Sequence, residues 1–173
     1  MGDVGEDLGA SRFLKVCHGR KEGLPPRLDI QKEITVQNAV RTFIHAGLVQ
    51  SAHDCSEGGL AVALAESCFN PAGLLGATVE LAGTGRPDVL LFNESQSRIV
   101  ISVTAANSEA VQSQLASAGI PFASLGTVAR KELRIRAAGQ DYQWPIEQLH
   151  DGWFNAIARA VGDDSPSDTT ASL

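Results

Sequence analysis

The sequence predicts an α/β (α+β) fold: a mixed sheet with core order β-α-β-β-α-β and flanking helices, in one domain over residues 1–162, with residues 163–173 as a disordered tail. Three observations lead there. Between His53 and Val128, segments with apolar residues at alternate positions are interleaved with helix-length segments bounded by Gly and Pro. Hydrophobic residues make up 43% of the chain but aromatics only 5%, a palette of Ala, Val, Leu and Ile suited to helices laid on a sheet. A length of 173 residues is enough for one domain to bury a core without disulfides or metal.

Met1 to Gly9 is polar and Gly-rich and reads as a lead-in, or a cut end, rather than an element. From Ser11, the apolar set Phe13, Leu14 and Cys17 predicts a short helix ending near His18-Gly19, and Pro25-Pro26 then imposes an extended link. Asp29 is the expected N-cap of a longer helix with Ile30, Ile34, Val40, Phe43 and Ile44 as its apolar stripe, stopped at Gly47. Leu48 to His53 reads as a buried strand, followed by a Gly-containing turn and a helix carrying Leu60, Ala63, Leu64 and Cys68 on one face. Asn70 to Gly73 breaks that helix, Ala77, Val79 and Leu81 alternate as a strand, and Gly83 to Pro87 is loop. A second alternating strand runs through Ile99, Ile101 and Val103. Asn107 is the expected cap of the next helix, with Val111, Leu115 and Ala118 inward and Gly119 as its stop. Phe122 to Val128 completes the six-element order, a split βαβ arrangement. Leu133 to Trp144 then suggests a terminal hairpin, and Pro145 opens a last helix with Ile146, Leu149, Trp153 and Ile157 inward. The Ser, Thr and Asp of the final residues have little to bury.

Charge and cysteine usage exclude several function classes. A net charge of −6 with 14 scattered Lys and Arg argues against nucleic acid as a partner, since counterion release needs clustered cations. Three cysteines, Cys17, Cys55 and Cys68, without CxxC spacing indicate neither a disulfide framework nor a zinc site, and point to a reducing compartment. No apolar run approaches the roughly 20 residues of a membrane helix, so the expectation is a soluble cytoplasmic chain with no membrane partner.

Chemistry concentrates in two places. The first is His53-Asp54-Cys55-Ser56-Glu57-Gly58-Gly59, between a strand and a helix, where unpaired N–H groups and the positive dipole end suit a phosphate or carboxylate. Gly58 and Gly59 permit close backbone approach, while Asp54 and Ser56 can cap the helix, accept a hydroxyl or bind a cation. The same residues serve equally as turn, cap and spacer, and His53 fits a hydrogen-bonded, half-buried histidine better than a catalyst. The second is Asn93-Glu94-Ser95-Gln96-Ser97-Arg98, in which Arg98 can hold a phosphate bidentately and Glu94 and Gln96 can read hydroxyl or amide groups. A solvated turn with an exposed ion pair explains it as well. Cys55 has no second His placed to activate it and reads as a buried thiol. No phosphate-binding loop of the GxxxxGK type, GxGxxG fingerprint or GxSxG elbow is present, and no residue is assigned a catalytic or metal-ligating role.

Four stretches, LGASRFLKVCHG (Leu8 to Gly19), GLPPRLD (Gly23 to Asp29), SAHDCSEGGLAVALAES (Ser51 to Ser67) and LFNESQSRIVISV (Leu91 to Val103), carry a resemblance. In that order they resemble the synthetase subunit of phosphoribosylformylglycinamidine synthase, within the aminoimidazole ribonucleotide synthetase superfamily. The resemblance implies the last C-terminal α/β domain of such a subunit. It further implies a parent enzyme that uses ATP and Mg2+ to activate the amide oxygen of formylglycinamide ribonucleotide for replacement by glutamine-derived ammonia, in purine synthesis. Implied partners are the preceding domains of the parent chain, a glutaminase subunit, a small bridging subunit and a phosphorylated ribonucleotide. Carried over by position, His53, Asp54, Ser56, Glu57, Gly58 and Gly59 with Glu94, Ser95, Gln96 and Arg98 would face an interdomain cleft, of either the catalytic or the structural nucleotide. The isolated domain is expected to be inactive, to hold no cofactor tightly and to form a homodimer through its uncovered face. The alternative is a free-standing βαββαβ module binding a small effector at the same Gly-containing loop; a third reading makes the two signatures purely structural.

Overall fold

A computed structural model describes residues 1–162 apart from 3, 4, 6, 71 and 84, and the tail expected at 163–173 lies outside the described residues. Helix α1 (Arg12–His18) starts where Ser11 accepts the Leu14 N–H and stops at Gly19, which takes the left-handed conformation at φ 65°. Helix α2 (Ile30–His45) starts at Asp29, whose carboxylate accepts the N–H groups of Gln31 and Lys32. These caps are the ones the sequence expects. There follow β1 (Val49–Asp54), α3 (Gly59–Ser67), β2 (Gly76–Leu81), a short α4 (Pro87–Phe92), β3 (Ile99–Val103), α5 (Ala105–Ser117) and β4 (Gly126–Ala129). The chain then runs through β5 (Glu132–Ala137) and β6 (Gln140–Pro145) to α6 (Ile146–Phe154) and α7 (Ala156–Ala160).

The expected β-α-β-β-α-β order is present, with α4 inserted between its second and third strands, and a mixed sheet is formed in the order β4-β2-β5-β6. Within it β2 and β5 are parallel, while β2/β4 and β5/β6 are antiparallel. β1 and β3 stand apart as an antiparallel ribbon. The expected terminal hairpin forms as β5 and β6, and its first strand is, with β2, one of the two central strands of the sheet: Leu133, Ile135 and Ala137 are the most buried strand residues (0–1% exposed) and alternate with Arg134 and Arg136.

Two cores result. The main one lies between the four-stranded sheet and α3, α4 and α6, and the second joins Val36 and Phe43 of α2 to Val111 and Leu115 of α5 and to Ile120. The ribbon connects them: Ile99, Ile101 and Val103 pack on the second core and Val100 on the first.

Several local expectations are corrected. Thr104, not Asn107, caps α5 by accepting the Asn107 N–H, and the Asn107 side chain instead donates to the Leu48 carbonyl at 3.1 Å. Pro145 occupies the cap position of α6, one residue earlier than expected. The strand expected from Phe122 is confined to Gly126–Ala129. Helix α2 has two apolar stripes: Val36, Val40 and Phe43 are buried, whereas Ile30, Ile34 and Ile44 are exposed. At the C-terminus Ile146 is buried, but Trp153 and Ile157 are 52% and 79% exposed. Among the described residues no helix is long and apolar enough to cross a membrane.

Candidate functional site

The two polar clusters meet at the start of α3. Gly58, at φ 83°, takes the cap position, where a side chain is absent, so neither Asp54 nor Ser56 caps this helix as expected. Gly59 follows at φ 64°, and a Cβ there would sit 2.6 Å from the Asn93 carbonyl oxygen. Only glycine lets the helix come this close to the 93–98 turn.

A carboxylate is present at the helix start, and it belongs to the protein. Oε1 of Glu94 accepts the Gly58 N–H and the Arg12 N–H, each at 2.8 Å, so one oxygen serves the first turns of both α3 and α1. Arg12 also donates from Nε to Glu57 at 2.8 Å, an exposed pair that closes the loop over α1. Beside these residues lies an open, largely apolar depression of about 300 Å³ floored by Phe13, Val16, Val62 and Phe92. Phe13 and Phe92 stack there with ring centroids 4.6 Å apart.

The turn is buried more deeply than a solvated turn would be. Asn93 is 2% exposed; its amide donates to the Asp7 carbonyl and its Oδ1 accepts from the Ser95 N–H and hydroxyl. Ser95 Oγ in turn accepts the Gly5 N–H at 2.7 Å. Ser97, at φ 61°, donates to Glu33 of α2. Gln96 points into solvent.

Arg98 is 6% exposed and has no carboxylate partner among the described residues. Its Nη1 donates to the Asn93 carbonyl at 3.0 Å, and burial draws the guanidinium below its ordinary pKa. Its other donors are uncommitted to any described residue. Burial also raises Cys55, with Arg98 opposing, so this thiol is a neutral core group rather than a nucleophile. Burial lifts Cys68 to about 11.

His53 is half-buried: Nδ1 lies 2.8 Å from the Asp54 carbonyl and Nε2 3.4 Å from Glu66. The other oxygen of Glu66 accepts the Trp153 indole N–H at 3.1 Å, tying the loop to α6. Asp54 and Ser56 are exposed, and their side chains form no hydrogen bond or ion pair with a described residue. The ten candidate residues thus divide. Glu57, Gly58, Gly59, Glu94 and Ser95 are committed to holding segments together, His53 is anchored, and Asp54, Ser56, Gln96 and most of Arg98 retain free polar groups. Sequence reading missed Asn93, Arg12, Glu33 and Glu66 as partners. Only Asn93 had a local signal, an Asx turn ahead of Ser95. No group of three or more His, Cys, Asp or Glu among the described residues is arranged to hold a metal ion.

Comparison with known proteins shows the family. The AIR synthase related protein, C-terminal domain, matches residues 2–137. Phosphoribosylformylglycinamidine synthase subunit PurL of Moorella thermoacetica is 42% identical over 158 residues, which is 91% of this chain and 21% of that protein. The protein of the same name from Synechococcus elongatus is 44% identical over 165 residues, with the same two shares. The chain therefore spans about a fifth of the length of these relatives. Among solved structures, Thermotoga maritima PurL complexed with FGAR superposes with a TM-score of 0.70 at 21% identity, covering 86% of this chain and 26% of that one. The same protein complexed with ATP gives 0.64 at 17% identity, covering 86% and 24%. At such identities the superpositions show the fold.

Proposed function

The chain belongs to the AIR synthase related family, as its C-terminal domain, and from that premise we propose that it is the last domain of a phosphoribosylformylglycinamidine synthase synthetase subunit. The observation that carries the reading is identity of 37–44% over 91–95% of the chain to relatives bearing that name. The intact subunit would convert formylglycinamide ribonucleotide, ATP and ammonia to formylglycinamidine ribonucleotide, as a cytoplasmic ligase working with a glutaminase subunit and a small bridging subunit.

Within that enzyme the paired signatures line an interdomain cleft that takes a phosphorylated ligand. Arg98 presents uncommitted guanidinium donors from a desolvated position, where a charge-assisted bond to phosphate is stronger than at the surface. Asp54, Ser56 and Gln96 supply free polar groups, and His53, Glu57, Gly58, Gly59, Glu94 and Ser95 fix the loop and turn that present them. On the family resemblance, ATP and Mg2+ belong chiefly to the domains that precede this one in the intact subunit. This chain's contribution is binding and orientation rather than a proton or nucleophile.

Calorimetric titration of the chain with formylglycinamide ribonucleotide, ADP and inorganic phosphate, each with and without Mg2+, tests the reading. Saturable binding that Arg98→Ala abolishes supports a ligand site in this domain. In the complete enzyme, Arg98→Ala that lowers the melting temperature while leaving turnover and KM untouched overturns it in favour of a structural role.

A further inference from the structure

Glu66 occupies a position that its own helix disfavours. It lies in the last turn of α3, which contains no basic residue, and there the negative end of the helix dipole opposes a carboxylate. Each of its oxygens instead faces a group from another element. Oε1 accepts the Trp153 indole N–H at 3.1 Å, and Oε2 stands 3.4 Å from Nε2 of His53. The Trp153 ring packs in turn against Phe69, with ring centroids 5.2 Å apart. Compensation for the carboxylate therefore comes from β1 and α6.

His53 connects Glu66 to the candidate site. Its Nδ1 lies 2.8 Å from the Asp54 carbonyl, an oxygen that only accepts, so the proton belongs on Nδ1 and Nε2 is the atom left to Glu66. The peptide unit that contains this carbonyl also donates, through the Cys55 N–H, to the Arg98 carbonyl at 2.9 Å. Because a peptide unit is planar, the two bonds fix its tilt from both sides. From that plane the chain continues into Ser56 and the glycines. Its tilt thus sets how the exposed Asp54 carboxylate and Ser56 hydroxyl stand relative to Arg98.

We propose that Glu66 is a positioning residue of the cleft: it holds the His53 ring so that Nδ1–H stays on the Asp54 carbonyl, and Trp153 of α6 holds Glu66 in place. The proposal rests on the reading that this loop and the Arg98 turn take a phosphorylated ligand. Glu66 acts through His53 rather than on that ligand. Hydrogen bonding is all that is required of it. An amide at this position can accept from Trp153 through its oxygen and donate to Nε2 of the neutral ring through its nitrogen, and it removes the conflict with the dipole. A methyl group can do neither.

Nitrogen NMR of the His53 ring in the chain, in Glu66→Gln and in Glu66→Ala tests the first step. The neutral ring should carry its proton on Nδ1 in the chain and in Glu66→Gln, and should pass in Glu66→Ala to the Nε2–H form that unconstrained histidine prefers. Trp153→Phe keeps the ring contact with Phe69, deletes only the indole donor, and should shift the ring part of the way. A ring that keeps its Nδ1 proton in Glu66→Ala overturns the proposal. In the complete synthetase subunit, Glu66→Ala should raise KM for formylglycinamide ribonucleotide about tenfold, the effect of losing one charge-assisted hydrogen bond, with kcat little changed. Glu66→Gln should restore it. A merely structural brace would lower the melting temperature of Glu66→Ala and leave KM where it was, which also overturns the proposal. Where Arg98→Ala raises KM and Glu66→Ala does not, the proposal fails and the cleft reading stands; where neither does, both fail.

Discussion

Gly59 is the residue on which the two signatures pivot. A Cβ there meets the Asn93 carbonyl oxygen at 2.6 Å and the backbone stands at φ 64°, so Gly59→Ala should cost about 3 kcal/mol in urea unfolding. Asn93→Ala leaves the Ser95 and Asp7 groups unpaired in a site 2% exposed, and should cost about 2 kcal/mol. Glu94→Gln keeps an acceptor oxygen for the Gly58 and Arg12 N–H groups and should cost less, about 1 kcal/mol. A reversed ranking of these last two would show that the charge at the helix start matters more than the packing of the turn. The sequence made the contiguous parts of this site legible, since His53 to Gly59 and Glu94 to Arg98 are each read in a single window. It did not reveal that Glu94 serves Arg12, that Asn93 serves Asp7, or that Ser97 serves Glu33, because those partners lie 64 to 86 positions away. A polar side chain near a helix start looks the same whether it awaits a ligand or answers a distant backbone group.

Among the elements, helix starts were readable where one residue alone could cap, as at Ser11 and Asp29. They misled where two candidates competed, as at Thr104 and Asn107. Thr104→Ala should lower stability by about 1 kcal/mol through loss of the α5 cap. The apolar stripe of α2 misled for a different reason: periodicity reports that a face is apolar, not what covers it. Helix α3 ends at Cys68, whose thiol burial lifts to about 11 from an ordinary 9.0. The native state thus keeps a proton that the unfolded chain releases. Its stabilisation is fully present below pH 9 and is lost as pH rises from about 9 towards about 11. The loss attributable to Cys68, measured as the difference between the chain and Cys68→Ala in urea melts across that window, should be about 1 kcal/mol. No difference between the two would mean the thiol titrates as it does in water.

For the whole molecule, two groups of exposed apolar residues stand out, Ile30, Ile34 and Ile44 on α2, and Trp153, Phe154, Ile157 and Val161 at the C-terminal helices, with Val16, Leu24, Leu28, Leu75, Phe122 and Val128 exposed elsewhere. Apolar faces left uncovered favour self-association. Sedimentation equilibrium should show a mass that rises with concentration, and Ile34→Glu should reduce it; a concentration-independent monomer would leave these faces without the role given them. The overall topology was less legible than its elements, since pairing partners in a mixed sheet are chosen by burial across long separations. The parallel partnership of β2 with β5 has a consequence in time. Residues 82–131, including β3, α5 and β4, lie between the two strands, so the two central strands of the principal core meet only when nearly the whole domain has been synthesised. A nascent chain stalled before Glu132 would hold α3 against an incomplete sheet, with Val79 and Leu81 uncovered, and would be a substrate for chaperones or proteases until its last forty residues arrive.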